Sequence, residues 1–214
     1  MNNLVLSIFP GIDLLGRAFE EEGFCVVRGP DILWGGDIKN FHPPSGVFGG
    51  VIGGPPCIGE SNLAYLTGKV GYTLWPEALR VIGEANPDWW ILEAVIRHDA
   101  PYVLTLNNRW LGEKQNRKRY FHSNLDFSRH IEVALFGNPE FKCAVLAGHG
   151  PAIGRKYRGI VKYSWEEACE LQGLPVDFDL PGFLQSEKMR AVGNGVPLPM
   201  GRAVARAVKK AIGG

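Results

Sequence analysis

Cys57 has the setting that most favours covalent chemistry. It follows Pro55-Pro56 in the stretch Gly53 to Ser61, whose approach from Val47 to Ile52 is apolar and glycine-containing. Two consecutive prolines fix φ and withhold two backbone donors, so the thiol is predicted to sit on a stiff elbow just past a strand. There it is either a nucleophile, if a positive or hydrogen-bonding group favours the thiolate, or a small buried hydrophobe. A second candidate is Glu93, an acid inside the apolar run from Trp89 to Val95. Such a carboxylate is costly unless it is paired or used. The third is the group Gln115, Arg117 and Arg119. Alternation along a strand directs both arginines to one pocket, although a basic cluster is also commonly just a solvated face.

These groups need elements to hold them. Leu4 to Phe9 reads as a short strand and Pro10-Gly11-Ile12-Asp13 as a tight turn. Leu14, Leu15, Ala18 and Phe19 then mark a helix. Such a turn aims backbone N–H groups above the sheet, where the helix N-terminus favours negative charge. Phe24 to Val27 reads as a second strand, and Asp31 beyond it either accepts hydrogen bonds from ribose hydroxyls or caps a short helix. Asp37 by itself is a turn residue. The polar stretch from Asn62 to Tyr72 is a mobile lid or a loose connection. Leu74 to Ala85 has helical spacing, with Pro76 tolerable in its first turn. Tyr102 to Leu106 suggests a further strand, and Trp110-Leu111-Gly112 a turn. Ser164 and Glu167 stand at capping-box spacing before a helix through Leu171, and a small-residue helix spans Met200 to Ile212.

A chain of 214 residues can form one sizeable domain with a small appended lobe. The net charge of +1, with 21% charged residues, gives no global polyanion-binding signature, so contacts to nucleic acid must come from local clusters. Cys25, Cys57, Cys143 and Cys169 lie far apart with no metal-ligand spacing, which argues against a zinc site and suits a reducing cytoplasm. The first residues read as a strand with no basic leader, and no run approaches the roughly 20 apolar residues that span a bilayer.

Taken in order, Phe9-Pro10-Gly11-Ile12, Gly36-Asp37-Ile38, Pro55-Pro56-Cys57, Glu93 before Val95, Gln115-x-Arg117-x-Arg119, Leu171-Gln172-Gly173-Leu174-Pro175 and Gly193-Asn194-Gly195-Val196-Pro197 resemble the motifs of the DNA cytosine 5-methyltransferases. The resemblance implies a doubly wound, mostly parallel α/β sheet of the Rossmann-like class I methyltransferase type with a very small second lobe. It implies a core over 1–121, a reduced target-recognition insert over 122–163 and a return to the core over 164–214. Cys57 is then the nucleophile, Glu93 contacts the flipped cytosine, and Arg117 and Arg119 hold the ring and position the site. S-adenosylmethionine is the implied cofactor. Phe9, Pro10, Gly11 and Ile12 would cradle it, Asp31 would meet its ribose, and Asp37 and Ile38 its adenine. Pro55, Leu74, Asn194 and Val196 complete that set.

DNA contacts fall to Ser61, Lys69, Arg155, Lys156 and Arg158, the last three in a basic run that can equally be a solvated loop. Roughly 40 residues occupy the insert, too few for a separately folded base reader without a metal or disulfides. Base discrimination is therefore slight, read over a short context, or supplied by a protein partner. The chain departs from the family at Ser7, where an aspartate is usual, at Ala94, where an asparagine is usual, and at Ile58 and Glu60 after the elbow. An RNA or single-stranded DNA substrate is the alternative within the class, and a catalytically silent cofactor- or DNA-binding relative is the alternative outside it. A bacterial or phage-infected cell and a role in restriction-modification are analogies only.

Overall fold

A computed structural model describes residues 2–56, 73–147 and 162–213. Cys57, Ile58, Glu60, Ser61, Lys69, Arg155, Lys156 and Arg158 lie outside the described residues, as does Asn62 to Tyr72.

The first half alternates strand and helix. β1 (Leu4–Ile8) leads to α1 (Leu14–Glu21), and β2 (Cys25–Arg28) follows. Next come β3 (Gly50–Gly53), α2 (Trp75–Ala85), β4 (Trp89–Ala94) and β5 (Tyr102–Asn107). Asp13 caps α1 by accepting from the Gly16 amide, and Pro76 sits in the first turn of α2 where a missing N–H does no harm. Asn86 ends α2 in a left-handed conformation.

Among the described residues, six strands form one sheet in the order β2-β1-β3-β4-β7-β5, where β7 is Lys118–Ser123. β1 to β4 are mutually parallel, and β7 is antiparallel to both β4 and β5. The crossover between β1 and β3 places β2 at one edge. The carboxyl ends of β1, β2 and β3 therefore open together, at the kind of switch point where such sheets bind ligands.

Period-2 alternation sorts the strand side chains between two cores. Val5, Ile52, Ile91 and Phe121 pack with Phe19 of α1 and with Met200, Val204 and Val208 of the C-terminal helix. Leu6, Ile8, Val51 and Leu92 face the other way, onto Trp75, Ala78, Val81 and Ile82 of α2. A third apolar cluster joins Leu14 and Val145 to the helices α3 (Trp165–Leu171) and α4 (Gln185–Asn194). α5 (Leu198–Ala211) then lies along α1, and Gly201 lets it approach: a Cβ there would stand 3.0 Å from that of Ala18.

The capping box of Ser164 and Glu167 is present as the sequence predicts. The expected single strand through Gln115, Arg117 and Arg119 is instead broken. β6 (Gln115–Asn116) pairs with β8 (Lys142–Cys143) in a separate two-stranded sheet, and β7 begins only after Arg117. Arg117 turns the chain between them, donating its amide to the Gln115 carbonyl while its own carbonyl accepts from Asn108.

Candidate active site

Glu93 lies near the end of β4, where it is 7% exposed, and its neighbour Ala94 packs into the apolar core against α2. Arg119, near the start of the antiparallel β7, brings its Nε to 2.5 Å from Glu93 Oε1. The two groups meet as a close ion pair. The end of β3 reaches the same place. A Cβ on Gly53 would fall 2.7 Å from the Ile8 carbonyl oxygen, and one on Gly54 would stand 3.4 Å from Glu93 Oε2. Glycines there allow β3 to run tightly against β1 and to deliver buried Pro55 and half-buried Pro56 beside the acid. Cys57, next in the chain, lies outside the described residues.

Arg117 has other partners. It is 2% exposed and donates from Nη1 to the Val145 carbonyl (2.7 Å) and from Nη2 to those of Gly193 (2.8 Å) and Gly195 (3.1 Å). Burial pushes its guanidinium well below the ordinary arginine range; nearby Arg119 acts in the same direction and Glu93 against it. Two buried amides extend this junction. Gln115 donates to the Leu171 carbonyl and to Gln172 Oε1, and it accepts from the Val145 amide. Gln172 donates to the carbonyls of Val192 and Gly195. Asn194 and Val196 are thus held by a clamp on the carbonyls that flank them. The sequence placed Gln115 beside the two arginines and gave Gln172 no part in a site, because a glutamine that caps buried carbonyls looks like any surface glutamine until the fold is known.

The turn after β1 is unusual in its backbone. Phe9 (φ 53°), Gly11 (φ 55°) and Asp13 (φ 53°) all adopt left-handed conformations, which for Phe9 and Asp13 costs on the order of 1 kcal/mol or more each. Asp31, past the end of β2, braces this turn: one carboxylate oxygen accepts from the Gly11 amide and the other from Leu33, both at 2.8 Å. Asp31 is therefore the cap of a short 3-10 turn, Ile32–Trp34, and also a ligand of the loop. Trp34 donates its indole N–H to the Gly11 carbonyl (2.7 Å). Asp37 caps the turn Ile38–Asn40 and is exposed, whereas Ile38 is buried in the cluster against which Phe9 and Leu74 pack. Pro10 and Ile12 complete the half-buried rim.

Ser7 also has a structural account. Its hydroxyl donates to Asp13 Oδ1 at 2.8 Å, and Arg28 Nε lies 2.8 Å from Asp13 Oδ2. Burial raises the Asp13 pKa, while the Ser7 hydrogen bond and Arg28 partly restrain the shift. A carboxylate absent from the strand is thus present under the turn.

A surface cavity of about 210 Å³ lies elsewhere, between Leu111 and the α5 residues Pro199, Arg202 and Arg206, and none of the candidate site residues lines it. Among the described residues no helix is long and apolar enough to cross a membrane.

Parallel strands that open toward a strained turn after β1, with acids past β2 and before Ile38, give the chain a Rossmann-like class I methyltransferase fold. Solved structures share it. A candidate DNA modification methyltransferase encoded within an E. coli prophage superimposes with a TM-score of 0.66 at 13% identity, covering 99% of each chain. A mutant of DNMT2 from Spodoptera frugiperda gives 0.64 at 14% identity, covering 96% of this chain and 99% of its own. The Entamoeba histolytica methyltransferase EhMeth gives 0.60 at 11% identity, covering 99% of each chain. No family model and no curated protein matches the sequence.

Proposed function

We propose that this chain is a DNA (cytosine-5) methyltransferase, acting through a covalent Cys57 adduct on a cytosine turned out of the duplex. The observation that carries the reading is the pair of buried Glu93 and half-buried Arg119 beside the β3 end that leads into Pro55-Pro56-Cys57. Carbon 5 of cytosine is a poor nucleophile. Addition of the Cys57 thiolate to carbon 6 forms a carbon–sulfur bond and moves a ring electron pair toward carbon 5. Glu93 holds the ring edge, and Arg119 offsets the charge that develops there. Bound S-adenosylmethionine supplies the electrophilic methyl group. Once carbon 5 carries the methyl group, loss of its proton to a base leaves the carbon–hydrogen bonding pair to re-form the ring double bond, as the carbon–sulfur bond breaks and its pair leaves with the thiolate. Turning the base out costs a few kcal/mol of unstacking.

The residues present fit the cofactor. The left-handed turn at Phe9, Gly11 and Asp13 presents backbone beside the start of α1, and Asp31 is fixed at the tip of β2. Phe9, Pro10, Gly11 and Ile12 form the cradle. Asp31 would meet the ribose, Asp37 and Ile38 the adenine, and Pro55, Leu74, Asn194 and Val196 would close the remaining sides. Ser61, Lys69, Arg155, Lys156 and Arg158 supply contacts to DNA, and the insert 122–163 between the core and its return 164–214 gives little base discrimination, or a protein partner provides it.

The test is transfer of labelled methyl from S-adenosylmethionine to unmodified genomic DNA, read by nucleoside mass spectrometry. The expected product is 5-methylcytosine, with Cys57→Ala abolishing turnover but sparing cofactor binding. Turnover retained by Cys57→Ala overturns the nucleophile. Product on RNA or single-stranded DNA only overturns the duplex substrate, and cofactor binding without any transfer points to a silent relative.

A further inference from the structure

His122 is fully buried on the α2 side of β7, directly across from Leu92 of β4. Its Nδ1 lies 3.1 Å from the Leu92 carbonyl, and its Nε2 accepts from the His98 amide at 2.9 Å. An amide must donate, so Nε2 is bare and Nδ1 carries the proton, which it gives to Leu92. These two bonds bracket Glu93. On one side is the carbonyl of the preceding residue; on the other is the amide of a turn that has left the sheet, since pairing between β4 and β7 ends at Ala94. The turn is tied again through its ring. His98 stacks on Trp75, with centroids 3.9 Å apart and planes 12° from parallel, and Trp75 meets His122 edge-on at 4.8 Å. Trp75 is the first residue of α2 and follows Leu74. Three rings thus join the end of β4 to the start of α2.

We propose that His122 is a positioning residue for Glu93, holding the main chain on both sides of the carboxylate in its neutral Nδ1–H form. The proposal rests on the reading of Glu93 as the group that meets the substrate ring. Glu93 faces the opposite side of the sheet from His122, and the imidazole is fully buried, so it acts without meeting the substrate ring. It acts by fixing where β4 ends. Burial keeps the ring neutral, lowering its pKa to about 4, with His98 and Arg97 adding to the effect and the Leu92 bond opposing it. A carboxylate displaced by even about 1 Å can cost roughly a hundredfold in rate.

The test compares His122→Leu, which removes both bonds, with His122→Gln, whose amide can donate to Leu92 and accept from His98. Methyl-transfer kcat, cofactor Kd and thermal stability are measured for each, together with ¹⁵N NMR of the wild-type imidazole and exchange of the His98 amide. The expected result is a fall in kcat of about 10–100-fold for the leucine variant with cofactor Kd unchanged, and recovery of most of it in the glutamine variant. Wild-type kcat in His122→Leu overturns the proposal, as does a loss that merely follows the folded fraction, or a failure of His122→Gln to recover activity when it folds. An Nε2–H tautomer overturns it on the wild-type protein alone. If the wild type transfers no methyl group to any substrate, the functional reading has failed instead. The proposal then fails with it, while the tautomer and the His98 exchange still report whether the two bonds exist.

Discussion

Two arginines two residues apart serve two regions that obey different physics. Arg119 stands at the end of the main sheet, paired with the Glu93 carboxylate beside the glycines that lead to Pro55-Pro56. Arg117 is sealed in the junction between the sheet and the C-terminal helices, where its terminal nitrogens meet main-chain carbonyls. The first arrangement sets a carboxylate and a guanidinium together at the end of β4. The second uses its terminal donors to bind one part of the protein to another. Buried charge therefore says little about chemistry until its partners are known. A carboxylate partner at a strand end suits a site, and a ring of carbonyls suits a joint.

Substitutions at the two regions should separate them cleanly. Glu93→Gln is expected to lower the rate of methyl transfer by about 10²–10³, or roughly 3–4 kcal/mol, through loss of electrostatic stabilisation, with cofactor affinity preserved. Steady-state kinetics alongside calorimetric titration of S-adenosylmethionine would show this, and an equal loss of cofactor binding would erase the distinction. Arg117→Met should do the reverse. It strands the carbonyls of Val145, Gly193 and Gly195 and is expected to cost on the order of 3 kcal/mol in urea unfolding. Cofactor affinity should weaken as Asn194 and Val196 lose their support. A variant that unfolds like the wild type but turns over slowly would move Arg117 to the catalytic side.

The smallest effect concerns pH. His122 has a folded pKa of about 4, lowered from 6.5, so the folded state binds its proton less readily than the unfolded chain. Its contribution is fully present above pH 6.5 and is lost as pH falls toward 4, by roughly 2 kcal/mol at pH 5. Asp13, whose pKa is raised by burial, titrates with the opposite sign. The measurement is therefore the difference between wild type and His122→Gln in unfolding free energy, taken at pH 7 and at pH 5. The gap between them should shrink at the lower pH, and a constant gap would remove the neutral-imidazole account.

Much of the architecture was legible because strands buried on both faces read as apolar runs and the helices beside them carry apolar stripes. β1, α1, α2, β4 and the capping box at Ser164 follow that logic. α4 did not declare itself: its sequence QSEKMRAVGN buries only Met189, Val192 and Gly193, so packing against Leu14, Val145 and α3 stabilises it more than its own pattern does. The break between β6 and β7 was also hidden, because alternation in a short polar stretch cannot reveal that two halves join different sheets.

The sequence by itself determined the order of the elements and the residue types available for chemistry, since period, turn residues and prolines act locally. Tertiary structure alone decided which side chains meet. Ser7 finds Asp13 six residues away, Asp31 reaches back to Gly11, Arg119 meets Glu93 across a strand pair, and Arg117 spans to Gly193 and Gly195. The physical reason is desolvation. A buried polar group must find a partner wherever the packed chain offers one, and that partner is set by the fold and not by spacing along the chain.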